Sequence, residues 1–243
     1  DKNISIEPTY IANTNTSYKV EHYKQKVTLD GYDLAETDNL TGTTDTKVTP
    51  NVKTYTGFDS PVPTEITIKG DGTTVVTYNY TRKSYTFTLN DSEDVISSHQ
   101  SGSYPYETEI TITAKDKEGY TFVGWSNGDT NQTTTISLTD NIEINPVYSS
   151  NTDTAYKVIH KQMNIDGEGY TTYETEILYG TTGSKVTPSV KTYKGFTSPE
   201  PEEITITGDG KTSVTYNYTR NKYDFAVSDR TYIDEDNSTK NGK

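Results

Sequence analysis

The sequence predicts a β-rich chain, all-β or α+β, made of small modules set in tandem as an elongated rod. Three observations predict it. Apolar residues alternate with Thr and with charges, the two-residue period of a strand buried on one face. Tyr is abundant, with 21 residues, and each ring can be buried while its hydroxyl stays wet. The sequence also repeats itself at a fixed interval, the mark of an array. Only 29% of residues are hydrophobic and the net charge is -13, values that alone would indicate disorder. The alternation and the Tyr content argue instead for folded modules with thin cores, each marginally stable by itself.

The elements follow in order. Tyr18 to Thr28 alternates, with Tyr18, Val20 and His22 on one face, and Tyr32 to Leu40 reads as a second strand. Thr43 to Lys53 is polar and contains Pro50, which suits a turn or a short helix. Glu65 to Ile68 and Thr74 to Arg82 flank Gly70-Asp71-Gly72, and Asp-Gly between two alternating runs predicts a hairpin. In the last of these strands Val76, Tyr78 and Tyr80 share a face. Further strands are predicted at Tyr85 to Leu89, Glu109 to Ala114, Tyr120 to Trp125, Thr134 to Leu138 and Ile142 to Val147.

Ser17 to Arg82 then returns as Ala155 to Arg220, without a net gap and with about 40 of 66 positions identical. Lys47-Val48-Thr49-Pro50 recurs as Lys185-Val186-Thr187-Pro188, and Tyr78-Asn79-Tyr80-Thr81-Arg82 as Tyr216-Asn217-Tyr218-Thr219-Arg220. The flanks recur too: Asn3-Ile4 matches Asn141-Ile142, and Tyr223-Asp224-Phe225 matches Tyr85-Thr86-Phe87. The unit is therefore a pair of modules, A and B. Residues 1–16 read as the tail of a B module, 17–83 as A, 84–150 as B, 151–220 as a second A, and 221–243 as the start of another B, expected to fray. This phasing predicts a piece of something longer.

Several partners are disfavoured. The acidic balance, pI about 4.6, argues against nucleic acid and anionic membrane, both of which need basic patches. No apolar run approaches the ~20 residues of a membrane span, and no segment reads as a signal peptide. The chain contains no Cys, which fits the Gram-positive exterior and the cytosol alike.

Module A carries Tyr18-x-Val20-x-His22, Gly42-x-Thr44, Lys53-x-Tyr55-x-Gly57-Phe58 and Val76-x-Tyr78-x-Tyr80-x-Arg82. This pattern resembles the repeats of MucBP-type (mucin-binding) proteins and internalin-type B repeats. In module B, Gly119-Tyr120-Thr121-Phe122-Val123-Gly124-Trp125 resembles the Gly-Tyr-x-Phe-x-Gly-Trp core of internalin B repeats. The Thr-rich loop at Asn131 to Thr135 departs from longer family members and marks B as divergent. The resemblance covers most of the chain. It implies β-grasp-like modules in cell-wall-anchored, extracellular proteins of Gram-positive bacteria. Some such repeats bind mucins and many are only spacers.

No residue is assigned to catalysis, to a cofactor or to a metal, and no enzyme is expected. His22 and His160 occupy matching places, His99 stands alone, and none has the spacing of a metal ligand set. They are expected to pack on a strand face. Asp91-Ser92-Glu93-Asp94 and Asp234-Glu235-Asp236-Asn237 lack the spacing and glycine of a calcium loop, and solvated loops are expected. Asp71 and Asp209 are explained by turn geometry. Lys19 with Asn79, and Lys157 with Asn217, are candidates for isopeptide bonds, with Glu36 or Glu65 as the acid; alternation puts these Lys and Asn on the more polar face, away from the dry site that reaction needs. Trp125 reads as core, although with exposed Tyr it could form a sugar-stacking platform. Alternation places it on the face of Val123 and Thr121 rather than that of Phe122. The Asn39-Leu40-Thr41 type of triplet is expected by chance in so Thr-rich a chain.

The leading expectation is mechanical. Alternating A and B modules, monomeric within a longer array, space an adhesive tip away from a cell wall, each pair reaching ~60–80 Å if the modules stack end to end. The alternative is a multivalent module with weak affinity for a host glycan, mucin or protein.

Overall fold

The computed structural model describes residues 3–227, 231–233 and 239–241. It is nearly all-β, and the single helical turn among the described residues is a 3-10 turn at Ser92–Asp94. The chain divides into two compact units. One takes the residues up to 116 together with 122–148; the other takes 117–121 and the residues from 149 onward.

The first unit opens with β1 (Thr16–Gln25), β2 (Tyr32–Gly42), β3 (Lys47–Val48), β4 (Phe58–Asp59), β5 (Ile66–Thr67) and β6 (Thr74–Arg82). A four-stranded sheet has the order β2-β1-β6-β4. β1 runs antiparallel to β2, with a register shift between His22 and Tyr23, and parallel to β6, with Val20 opposite Val76. The first and last long strands of this sheet are thus parallel neighbours. Alternation does what the sequence predicts: Tyr18, Val20, Val76, Tyr78 and Tyr80 turn inward and join Phe58 and Ile68 in one core. The buried Tyr78 hydroxyl donates to the Pro50 carbonyl at 2.8 Å, satisfying a group that would otherwise be costly to bury.

One expectation is met here and one is corrected. Of the turn or short helix expected in residues 43–53, the turn forms at Thr44-Asp45, with the Thr46 N–H donating to the Thr43 carbonyl at 3.2 Å, and β3 follows it. The Gly70-Asp71-Gly72 turn forms, with Gly72 at φ 72° and Asp71 Oδ1 accepting the Thr73 N–H at 3.0 Å, but it joins no hairpin. β5 pairs with β3, Val48 opposite Ile66, while both edges of β6 are taken by β1 and β4. The reason is packing. Ile68 is fully buried beneath Gly42, where a β-carbon would stand 2.3 Å from Ile68 Cδ1. That contact draws β5 under the sheet and away from β6.

The same unit continues through β7 (Ser84–Leu89), β8 (Val95–Ser97), β9 (Gly102–Pro105), β10 (Thr108–Ala114), β11 (Tyr120–Trp125), β12 (Thr133–Leu138), β13 (Ile142–Ile144) and β14 (Pro146–Ser150). Two three-stranded sheets, β13-β7-β9 and β12-β10-β8, accompany the ribbon β11-β14. Phe87, Leu89, Val95, Ile110, Ile112, Ala114, Trp125, Leu138 and Ile144 make their common core.

The second unit repeats the first sheet with β15 (Thr154–Met163), β16 (Tyr170–Gly180), β17 (Lys185–Val186), β18 (Phe196–Thr197), β19 (Ile204–Thr205) and β20 (Ser213–Arg220), in the order β16-β15-β20-β18. Its core is Tyr156, Val158, Ile206, Val214, Tyr216 and Tyr218. Beyond it β21 (Thr231–Ile233) pairs with β22 (Thr239–Asn241). Much of the segment expected to fray, residues 221–243, lies outside the described residues.

Candidate functional site

The densest ionisable grouping lies at the edge of each A-type sheet. His22 reaches it from β1, Asp38 and Glu36 from β2, Tyr80 from β6, and Lys53 and Tyr55 from the covering loop. The Tyr80 hydroxyl accepts the Lys53 N–H at 2.8 Å and lies 2.9 Å from His22 Nδ1. Across the ring Nε2 lies 3.3 Å from Asp38 Oδ2, and since a carboxylate only accepts, Nε2–H is the donor. Lys53 Nζ bridges Asp38 and Glu36 at 2.8 and 2.6 Å, and the Tyr55 hydroxyl donates to Glu36. The second copy repeats this with His160, Glu176, Glu174, Tyr218, Lys191 and Tyr193.

The charges tune one another. Lys53 lowers the carboxyl pKa values of Asp38 and Glu36, with His22 and Tyr55 assisting, and is itself raised by both. Burial, then Glu36, pushes the Tyr55 phenol well above its usual range. Each acceptor has its donor, each imidazole is fully buried, and no buried side-chain polar atom among the described residues lacks a partner. Such a network fixes strand register and covering loop rather than presenting a reactive group. The histidines therefore pack on the inward strand face, where the sequence places them, with His22 5.8 Å from the Tyr78 and Tyr80 ring centroids, and hydrogen bonds hold them there as well.

His99 lines a hollow of about 460 Å³ with Leu89, Val95, Ser97 and Ser101. Ser98 Oγ lies 2.9 Å from its Nδ1, yet it also accepts the Thr111 N–H at 3.0 Å, and among the described residues no carboxylate bonds the far ring nitrogen. A Ser–His relay needs that third group.

Trp125 is core, 2% exposed, with Nε1–H donating to the Asn131 carbonyl at 2.9 Å. It therefore takes no part in a stacking platform. Its face differs from the alternation rule: Val123 and Thr121 are exposed, whereas Phe122 packs against Trp125 with ring centroids 5.5 Å apart. Gly124, at φ 151°, breaks the alternation, and a β-carbon there would stand 2.9 Å from the Asp129 carbonyl oxygen.

Lys19 lies opposite Val75, and Asn79 opposite Tyr23. Four residues of offset, ~13 Å along a strand, separate two exposed side chains, so no isopeptide geometry exists. Asp91 caps the 3-10 turn in the left-handed region. No group of three or more metal-ligating side chains converges among the described residues, and Asp234 to Asn237 lie outside them.

Sequence reasoning missed one assembly. Lys83 alone separates β6 from β7. Its N–H donates to the Gly57 carbonyl at 2.9 Å, and its carbonyl accepts the Tyr106 N–H at 2.7 Å. Arg82 bonds the Gln25 carbonyl through Nε, and the Tyr106 carbonyl and Glu107 carboxylate through Nη1. Its guanidinium also lies 4.7 Å from the centroid of the Phe58 ring, and the Tyr106 ring packs edge-on against Phe58. Asn151 is held likewise, N–H to Gly119 and carbonyl from Thr182, both at 2.9 Å. The repeated terminal arginine was the one signal in the sequence.

Residues 85–152 match the family model of the divergent InlB B-repeat domain. The internalin-type resemblance is thereby supported for that stretch. No curated protein matches the chain. Among solved structures, the Bacillus anthracis TIE protein is similar at 10% identity and a TM-score of 0.38, over 86% of this chain and 51% of that one. This chain thus spans about half of that protein's length. The shaft pilin SpaA from Lactobacillus rhamnosus GG is similar at 9% identity and a TM-score of 0.17, over 86% of this chain and 99% of the other.

Proposed function

We propose that the chain is a set of spacer repeats from an extracellular, cell-wall-anchored surface protein of a Gram-positive bacterium, holding an adhesive tip at a fixed distance. The match of residues 85–152 to the internalin-type B-repeat family supports the surface setting; we extend the resemblance to mucin-binding-type repeats to the A-type sheets. The observation that carries the spacer role is the one-residue connection at Lys83. A flexible linker leaves its backbone solvated. Here both polar groups of the connecting peptide are bonded, one to each side, and Arg82 adds three bonds around them. Bending at this point would break several hydrogen bonds together. Small-angle scattering tests the reading: a maximum dimension well over ~100 Å is expected for stacked modules, and a compact globule would refute it.

One observation favours a second reading, a multivalent binding module for host glycan or glycoprotein. On β16 the outward residues Tyr173, Ile177 and Tyr179 are exposed, where the first copy has Ala35, Asn39 and Thr41. Exposed Tyr rings can stack on sugar rings. A glycan array that reads binding by the native chain and none by the Tyr173→Ala/Tyr179→Ala variant would establish it.

A further inference from the structure

The two A-type sheets differ at one end, and the difference maps to a single partner. In the first, the Tyr106 ring covers Gly57 so closely that a β-carbon there would stand 2.2 Å from its Cδ1. Gly57 and Phe58 are buried, and the Arg82 side chain is 10% exposed. In the second, a β-carbon on the matching Gly195 would have nothing within 4 Å; Phe196 is half-buried and Arg220 exposed. The inner half of the assembly is nonetheless intact. The guanidinium of Arg220 lies 4.7 Å from the Phe196 ring centroid, as Arg82 lies from Phe58. The Asn221 N–H donates to the Gly195 carbonyl at 2.8 Å, as Lys83 does to Gly57. Only the outer partners differ: among the described residues nothing donates to the Asn221 carbonyl, and Arg220 bonds only the Met163 carbonyl, at 3.2 Å.

We propose that Gly195, Phe196, Arg220 and Asn221 form a docking site for the Tyr–Glu turn of a B-type module, of the kind residues 104–108 make against the first A-type sheet. The filled copy specifies the occupant: an aromatic ring to lie on the glycine, a main-chain N–H for the Asn221 carbonyl, and a carbonyl with a carboxylate for the guanidinium. A second observation points to the same occupant. Tyr223, Phe225 and Val227 repeat Tyr85, Phe87 and Leu89 of β7, yet are 77%, 86% and 81% exposed, against 0% for Phe87 and 9% for Leu89. In the B region β9 and β13 flank that strand and its inward side chains join the core. The segment after Arg220 offers the same apolar stripe to the same kind of module. The site does not depend on whether the array spaces or adheres.

The test is a chain in which residues 221–243 are replaced by a second copy of residues 83–150, compared with the native chain by amide hydrogen exchange. The amides of Phe196 and of the residue after Arg220 should slow at least about tenfold, toward the rates of Phe58 and Lys83. Replacing the appended copy's tyrosine equivalent to Tyr106 by alanine should restore the faster rates while the appended core stays protected. Protection of the appended core without slowing at Phe196 overturns the proposal. So does an appended copy that never gains core protection, since the site must support the module as the first sheet does. A measurement on the native chain is independent of the graft: Tyr106→Ala should raise exchange at Phe58 and Lys83 to near the Phe196 and Asn221 values. Unchanged rates would show that the turn does not distinguish the two copies, and would equally overturn it.

Discussion

His160 Nδ1 and the Tyr218 hydroxyl lie 2.9 Å apart, and both side chains are fully buried. The same hydroxyl accepts the Lys191 N–H at 2.9 Å. One oxygen thus serves a strand imidazole and the main chain of the covering loop. Tyr218→Phe removes it while preserving ring volume, and takes a partner from the buried imidazole and from the half-buried Lys191 N–H. A loss of about 1–3 kcal/mol is expected. It would be read as a lower denaturant midpoint with unchanged slope, using exchange at β15 and β20 to resolve this unit from the other. Tyr80→Phe should do the same to the first sheet.

The carboxylates around that pair set an acid limit. Asp38 and Glu36 are held below their ordinary values chiefly by Lys53; Glu176 chiefly by Lys191; Glu174 chiefly by the Tyr193 hydroxyl, then Lys191. A carboxyl whose folded pKa is depressed stabilises the fold above its unfolded pKa. That contribution is lost as pH falls through the folded value. Both A-type sheets should therefore weaken as pH drops below about 4. Lys53→Met should flatten that dependence in the first sheet alone. Tyr55 and Tyr193 have raised pKa values, chiefly from burial, so their contribution is complete below the ordinary phenol value and lost above about 10. Ultraviolet titration should find these phenols ionising only as the sheets open.

How much of this was legible varies by residue. The inward face of Val76, Tyr78 and Tyr80 follows from alternation alone, because a strand has only two faces. The partner of β5 does not, because pairing is decided by which edge is free and by the fit of Ile68 under Gly42, both matters of tertiary packing. Trp125 is identifiable as core by its size, but its face is not, because Gly124 leaves the extended region that the two-residue period assumes. The histidines are legible as a matched pair; their hydroxyl partners stand 58 residues away. Arg82 looks like a solvated strand end until the turn at Tyr106, 24 residues on, is folded against it.

Trp125 is the chain's one tryptophan, so its emission reports the B core alone. Buried at 2% exposure with its N–H bonded, it should emit at short wavelength and resist acrylamide. Addition of glycans should leave that emission unchanged whichever surface binds them. Trp125→Ala empties the space beside Phe122 and Phe87's cluster, and a loss of about 3–5 kcal/mol is expected. Collapse of exchange protection in β10 and β12, with the β1 and β6 amides retained, would confirm that this core stands by itself.

Gly208 and Gly70 are equivalent in the repeat but not in their surroundings. A β-carbon on Gly208 would stand 1.9 Å from the Glu118 carbonyl oxygen and 3.1 Å from Gly119 Cα. On Gly70 its nearest neighbour would be a Thr44 methyl at 3.1 Å. Backbone cannot yield as a side chain can, so the two substitutions must diverge. Gly208→Ala should cost about 1–3 kcal/mol through displacement of the 117–121 loop. It should also release the Asn151 N–H that the Gly119 carbonyl holds. Gly70→Ala, answered by a small rotation of Thr44, should stay within about 0.5 kcal/mol. Equal effects in thermal unfolding would mean that the Glu118–Gly119 contact contributes nothing to holding Asn151.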